Sequence, residues 1–211
     1  MKAILKSIRP QHVSNILNGD KIIEIDKSAP KEWKDYLSGK TDKKPEPREV
    51  YIYCTKLVPY GYGCMFDELS KKYETTFCND GKDLPNLTGK VVAKFTLNKV
   101  EEIYWKQDLS NPYVSDNYNL ETDTLKEWEL RNKSCLESEE LEDYLGFDDS
   151  EFKALGYAWH IDNLVIFDKP KEISEFLCFG KSLNYKGIKT YPNFHRLTKA
   201  PQSWCYVEEL L

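Results

Sequence analysis

The sequence predicts an α+β fold built on a mixed, curved sheet or small barrel. Three observations predict it. Strand-like segments occur at both ends and in the middle of the chain, with helical segments between them. The first strand-helix-strand passage is short, which suits a mixed sheet better than a doubly wound parallel one. Nothing in the chain repeats at a fixed period.

The elements follow from local pattern. "MKAILKSI" alternates Ala3, Leu5 and Ser7 against Ile4, Lys6 and Ile8, a first strand that Arg9-Pro10 ends. Pro10 and Gly19 frame a helix in "PQHVSNILNG", with Val13, Ile16 and Leu17 on one face. "KIIEID" reads as a second strand, with Ile23 and Ile25 on one face and Ile22, Glu24 and Asp26 on the other. "PKEWKDYLSG" is a short helix closing on glycine, and "TDKKPEPRE" is a loop because each proline pushes its predecessor away from helix.

"VYIYCTK" is dense in β-branched and aromatic residues and predicts a strand. Residues 57–88 read as irregular. "KVVAKFTLNKVEEIYW" predicts one long strand, bent near Asn98. Residues 106–154 change character: "TDTLKEWELRN" and "SEELEDYLGF" predict short acidic helices whose charges form a solvated face. "GYAWHIDNLVIFDKPKEI" and the terminal "WCYV" return to strand.

The bulk numbers bound the function. The 211 residues suit a single domain, with 106–154 as an acidic helical insertion, and a 40% hydrophobic, 13% aromatic composition can build a core. The net charge of −5 makes long duplex DNA an unexpected partner, because duplex binding scales with phosphate neutralisation. A local basic cleft is still compatible with that charge. No apolar run approaches the ~20 residues of a membrane span. "MKAILKSIRP" lacks the apolar core of a secretory signal, so a cytoplasmic location and six reduced cysteines are expected. The cysteines lack metal-ligand spacing, and "GYGC" at 61–64 is too short for a phosphate loop, so no metal and no cofactor is expected.

"SIRPQHVSNILNGDKIIEIDKSAP" resembles the opening of the ASCH domain, a branch of the PUA-like superfamily, which begins with a strand, a helix and a G-x-K-x-x-E-x-R strand. "VYIYCTK", "GKVVAKFTLNKVEEI" and "GYAWHIDNLVIFDKP" fit the same order, and "APQSWCYVEE" is similar to endings of ASCH-like proteins of phages and bacteria. The resemblance covers residues 1–105 and 155–209. It implies a PUA-like β-barrel with flanking helices and a cleft beside the first helix that binds RNA, a nucleotide or a modified nucleoside. It also implies an alternative, since some members are similar to amidohydrolases acting on acylated cytidine and others to ribonucleases.

In that alternative Lys21 stands where the amidohydrolase branch has its catalytic lysine, with Glu24 where that branch has threonine, and no acid follows on the later strand until Glu101. The pattern departs again at Asp26, where arginine is expected. Arginine grips phosphate through a planar, charged fork, and aspartate only accepts. Three readings stay open: a ligand without phosphate at that point, an ion pair with Lys21, Lys27 or Arg9, or a change that disables binding.

The remaining candidates are convergent polar groups. Lys6, Arg9 and Lys56 with Ser7, Thr55 and Gln202 are expected to line a small cleft, cations on phosphates and amide or hydroxyl groups on base edges. Tyr53, Trp159 and Trp204 are candidate stacking rings, with core packing as the competing reading for Trp204 above all. His160 is a candidate base-edge reader or general base. His12, His195 and Arg196 carry no assigned role.

Overall fold

A computed structural model of the chain describes residues 3–56, 78–79, 82–83, 87–107, 118–146, 155–179, 184–185, 188–189 and 194–209. The "GYGC" segment and most of 57–88 lie outside these residues. In chain order the main elements are β1 (Ala3–Ile8), α1 (Pro10–Leu17), β2 (Ile23–Asp26), α2 (Lys31–Leu37), β3 (Arg48–Cys54), β4 (Val91–Leu97), β5 (Val100–Gln107) and β6 (Tyr118–Glu121). Then come α3 (Glu127–Ser134), α4 (Ser138–Leu145), β7 (Gly156–His160), β8 (Asp162–Lys171), β9 (Phe176–Phe179), β10 (Phe194–Arg196) and β11 (Trp204–Glu209).

The chain divides into two compact units. The first contains Met1–Asn18, Arg48–Thr96 and Asn163–Leu211. Its seven-stranded sheet runs in the order β8-β4-β3-β1-β11-β9-β10. β1 is parallel to β3 and antiparallel to β11, so the sheet is mixed. Leu5, Tyr51, Tyr53, Val91, Phe176, Leu197 and Val207 pack one apolar cluster, with the Tyr51 and Phe176 rings edge to face at 4.9 Å. Lys6, Ile52 and Trp204 are register partners, one position off that cluster.

The second unit contains Gly19–Pro47 and Leu97–Asp162. Its four strands, β2-β7-β5-β6, are all antiparallel. The 106–154 segment supplies β6, α3 and α4 to it. Ile23 and Ile25 of β2 pack with Ile103, Leu130, Leu141, Leu145 and Ala158, so the acidic helices bury leucines while most of their carboxylates stay in water. The architecture is α+β, with a mixed sheet, an antiparallel sheet and flanking helices. Free thiols are present at Cys54, Cys135, Cys178 and Cys205, and burial pushes the Cys54 thiol up to about 12.

One expectation is corrected. "KVVAKFTLNKVEEIYW" is not one bent strand: it breaks at Asn98-Lys99 into β4 and β5, which belong to different sheets. "GYAWHIDNLVIFDKP" divides in the same way at Ile161 into β7 and β8. At the first break the two polar residues Asn98 and Lys99 separate Leu97 from Val100 and shift the phase of the alternation, but alternation alone does not say which sheet each strand joins. A local mark does exist at the second: Asn163 has φ of 49°, the left-handed region that asparagine tolerates better than most residues.

Gly156 begins β7 against the neighbouring strand β2. A Cβ there would lie 2.5 Å from Leu145 Cδ2 and 3.0 Å from the Asp26 carbonyl oxygen. The Gly156→Ala variant is expected to lose about 1–3 kcal/mol of stability by overpacking, read as a lower urea midpoint at unchanged slope.

Candidate functional site

The first unit gathers most of its predicted polar residues at the C-terminal end of β1. The Thr55 N–H donates to the Ile8 carbonyl at 2.9 Å, which brings the end of β3 beside the end of β1. The Ser7 N–H donates to the Ser203 carbonyl at 2.7 Å, and Ser7 Oγ donates to the Pro201 carbonyl at 2.7 Å. Gln202 lies between those two anchors. Arg9 follows β1 directly and is the N-cap of α1, with Pro10 in the first turn and no acidic residue there. Ser7, Arg9, Thr55, Lys56 and Gln202 therefore meet on one rim, with Arg9, Lys56 and Gln202 exposed.

Two candidates do not join that rim. Lys6 is 2% exposed and neighbours Ile52 and Trp204 in register. Strand alternation turns it to the face opposite Ser7. Tyr53 is 7% exposed and belongs to the apolar cluster, so its ring is core material rather than an open stacking surface. Trp204 is half-buried, edge to face with Tyr206 at 5.5 Å.

In the second unit the unusual chemistry lies two residues before β2. Lys21 is 1% exposed. Its Nζ donates to the Ser134 carbonyl at 2.6 Å and lies 3.4 Å from Glu24 Oε2. Ser134 is the last residue of α3, where helix carbonyls lack intrahelical donors and the dipole favours a cation. The adjacent Ile22 N–H donates to the Lys133 carbonyl, so two successive residues bind the same helix end. A lysine nucleophile works through its lone pair, and here Nζ makes the contacts of an ammonium.

Asp26 is 2% exposed, and its Oδ1 accepts from the Ser28 N–H at 2.8 Å and the Ser28 hydroxyl at 3.2 Å. This is an Asx turn, in which a short carboxylate imitates a backbone carbonyl. It turns the chain out of β2 toward Pro30 and α2. Arginine has no acceptor and could not make it. Trp159 faces Glu24 in register, is fully buried, and donates its indole N–H to the Ser28 carbonyl at 3.2 Å. Its ring has no open face.

His160 departs from the expected grouping. Register places Glu24 opposite Trp159 and Ile23 opposite His160, so alternation puts Trp159 and His160 on opposite faces of the sheet. His160 Nε2 is 2.6 Å from Glu101 Oε2, which also receives Lys99 Nζ at 2.9 Å. The other oxygen of Glu101 accepts from Thr122 Oγ1, at 3.0 Å, and from Thr124 Oγ1. Burial pushes the Glu101 carboxyl up, but bonds from His160, Thr124 and Lys99 outweigh it and hold the group well below the usual carboxylate range. Sequence reasoning noted Glu101 only as an acid that was out of place. The signal available was its alternation with Ile103 on β5, which marks it as an inward carboxylate.

No family model matches the chain. No curated protein matches it. Among solved structures it is similar to one described as the crystal structure of ASCH from Zymomonas mobilis, at 12% identity and a TM-score of 0.40, covering 98% of this chain and 88% of that one. Among the described residues no helix is long and apolar enough to cross a membrane.

Two outcomes follow from the second unit. Lys21→Ala removes a buried cation from the Ser134 carbonyl and from Glu24 and should lose about 3–5 kcal/mol by urea unfolding, whereas the double variant Lys21→Met with Glu24→Leu should recover part of that loss. The lowered Glu101 carboxyl binds its proton less readily folded than unfolded. Its contribution is therefore present at neutral pH and is lost as pH falls below the ordinary carboxylate range. Thermal unfolding from pH 7 to pH 3 should show a shallower acid decline in Glu101→Gln than in the parent chain.

Proposed function

We propose that the chain binds a phosphate-bearing ligand, either single-stranded RNA or a nucleotide-like small molecule, at the rim formed by the end of β1, the start of α1 and the Pro201–Ser203 turn. The observation that carries this reading is the backbone bonding that draws Arg9, Lys56, Ser7, Thr55 and Gln202 together. Two exposed cations beside a helix N-terminus suit a phosphate, through their charge and the helix dipole. Ser7, Thr55 and Gln202 supply the donors and acceptors that fix a sugar or a base edge. The acidic total charge favours a short ligand over a long duplex.

The hydrolase alternative, with Lys21 and Glu24 as catalytic residues, has less support. The Lys21 ammonium is committed to the Ser134 carbonyl and Glu24, and both contacts are those of a structural cation.

Titration calorimetry with nucleoside monophosphates and with short single-stranded RNA tests the proposal. Saturable binding is expected, weakened by Arg9→Ala and by Lys56→Ala about equally for every base, with a smaller dependence on salt in each variant. Absence of saturable binding, or affinity indifferent to both substitutions, overturns it. Release of product from an acylated nucleoside or from labelled RNA would replace binding by catalysis as the function.

A further inference from the structure

Two cysteines of the first unit stand on one face of its sheet. Cys178 is on β9 and Cys205 on β11, and these strands pair antiparallel with Cys178 opposite Val207. Cys205 is two positions before Val207, so alternation returns its side chain to the face that Cys178 uses. The two are therefore diagonal neighbours across one strand boundary. Both thiols are free, both are half-buried, and both pack against the apolar cluster of Leu5, Phe176 and Val207.

The two sulfurs have unequal chemistry. Burial first, and then the neighbouring Cys178 sulfur, pushes the Cys205 thiol up to about 12. Cys205 therefore keeps its proton at neutral pH. The thiolate is the form that attacks an oxidant, so Cys178 is the sulfur that reacts first and Cys205 is placed to resolve it. A free cysteine packs as a small hydrophobe, so burial alone accounts for one such residue. Two as neighbours add a chemistry that neither has by itself.

We propose that Cys178 and Cys205 are a redox modification site, at which a peroxide converts the pair into a cross-strand disulfide. Cys178, as its thiolate, attacks one oxygen of hydrogen peroxide. The O–O bond breaks, Cys178 becomes a sulfenic acid, and the other oxygen leaves as hydroxide and takes up the proton the thiol lost. The Cys205 sulfur then attacks that of Cys178. The S–O bond breaks, the S–S bond forms, and the departing hydroxide takes the Cys205 proton as a second water. Two electrons pass from the sulfurs to the peroxide. The diagonal register makes this bridge a strained one, because a disulfide draws its α-carbons closer than diagonal neighbours ordinarily stand. A strained bridge is readily reduced, so the modification is reversible. It is independent of any ligand at the cationic rim.

The test uses the full chain, reduced and then treated with hydrogen peroxide in native buffer. Remaining thiols are alkylated, and a proteolytic digest is read by mass spectrometry without reduction. A peptide linked through Cys178 and Cys205 is expected as the main bridged product, and its share should fall to that of chance pairing when oxidation is done in urea. Cys205→Ala should stop the reaction at the sulfenic acid, trapped on Cys178 by dimedone, whereas Cys178→Ala should give no adduct on Cys205. Reduced glutathione should return the bridged chain to two free thiols. Absence of the linked peptide from the native chain, or an equal share in urea, overturns the proposal without recourse to either variant. A dimedone adduct on Cys205 in place of Cys178 overturns the assignment of roles, and a bridge that survives glutathione overturns its reversibility.

Discussion

The buried ammonium of Lys21 is the interaction on which the second unit depends. It meets the Ser134 carbonyl where α3 ends, and it balances Glu24 on the strand beside it. Removing either charge would take a contact away from the other in a poorly solvated place. The contact also ties the 106–154 segment to β2, because α3 belongs to that segment and Leu130 shares the cluster of Ile23 and Ile25. A lysine that looks catalytic in a linear motif is here the cation that closes a helix.

The same economy applies to the charges that made "KIIEID" unusual. Glu24 answers Lys21 and Asp26 answers the Ser28 backbone, so local structure absorbs both acids. Glu101 does comparable work on β5, anchoring the Thr122–Leu125 turn, where Thr122 Oγ1 also accepts from the Leu125 N–H. Buried polar groups that are fully bonded specify one arrangement, whereas an unbonded one would favour rearrangement. Arg9, Lys56 and Gln202 of the first unit, by contrast, stay exposed.

Much of the fold was legible from local pattern. The spans of β1, α1, α2, β3 and β11 follow from alternation, proline and glycine placement, and β-branched density. Ser7, Arg9, Thr55, Lys56 and Gln202 lie at or beside the ends of β1, β3 and β11, and the pairing of β1 with both other strands brings those ends together. Lys6 was misplaced because a lysine in an alternating strand reads as solvent-facing, whereas here it is buried between Ile52 and Trp204 in register. Trp159 and His160 were grouped by adjacency, although adjacent strand residues point to opposite faces.

What the sequence determined by itself was therefore the element types, the α+β class and which residues could carry charge to a strand end, because these depend on neighbours a few positions away. What only the tertiary structure decided was where β4 gives way to β5 and β7 to β8, that Lys21 meets Ser134 across 113 positions, and that Glu101 meets His160 across 59. Those contacts are set by which strands pair and which helix lies over them. Sheet pairing is a non-local choice, and a period-two pattern reads the same in either sheet.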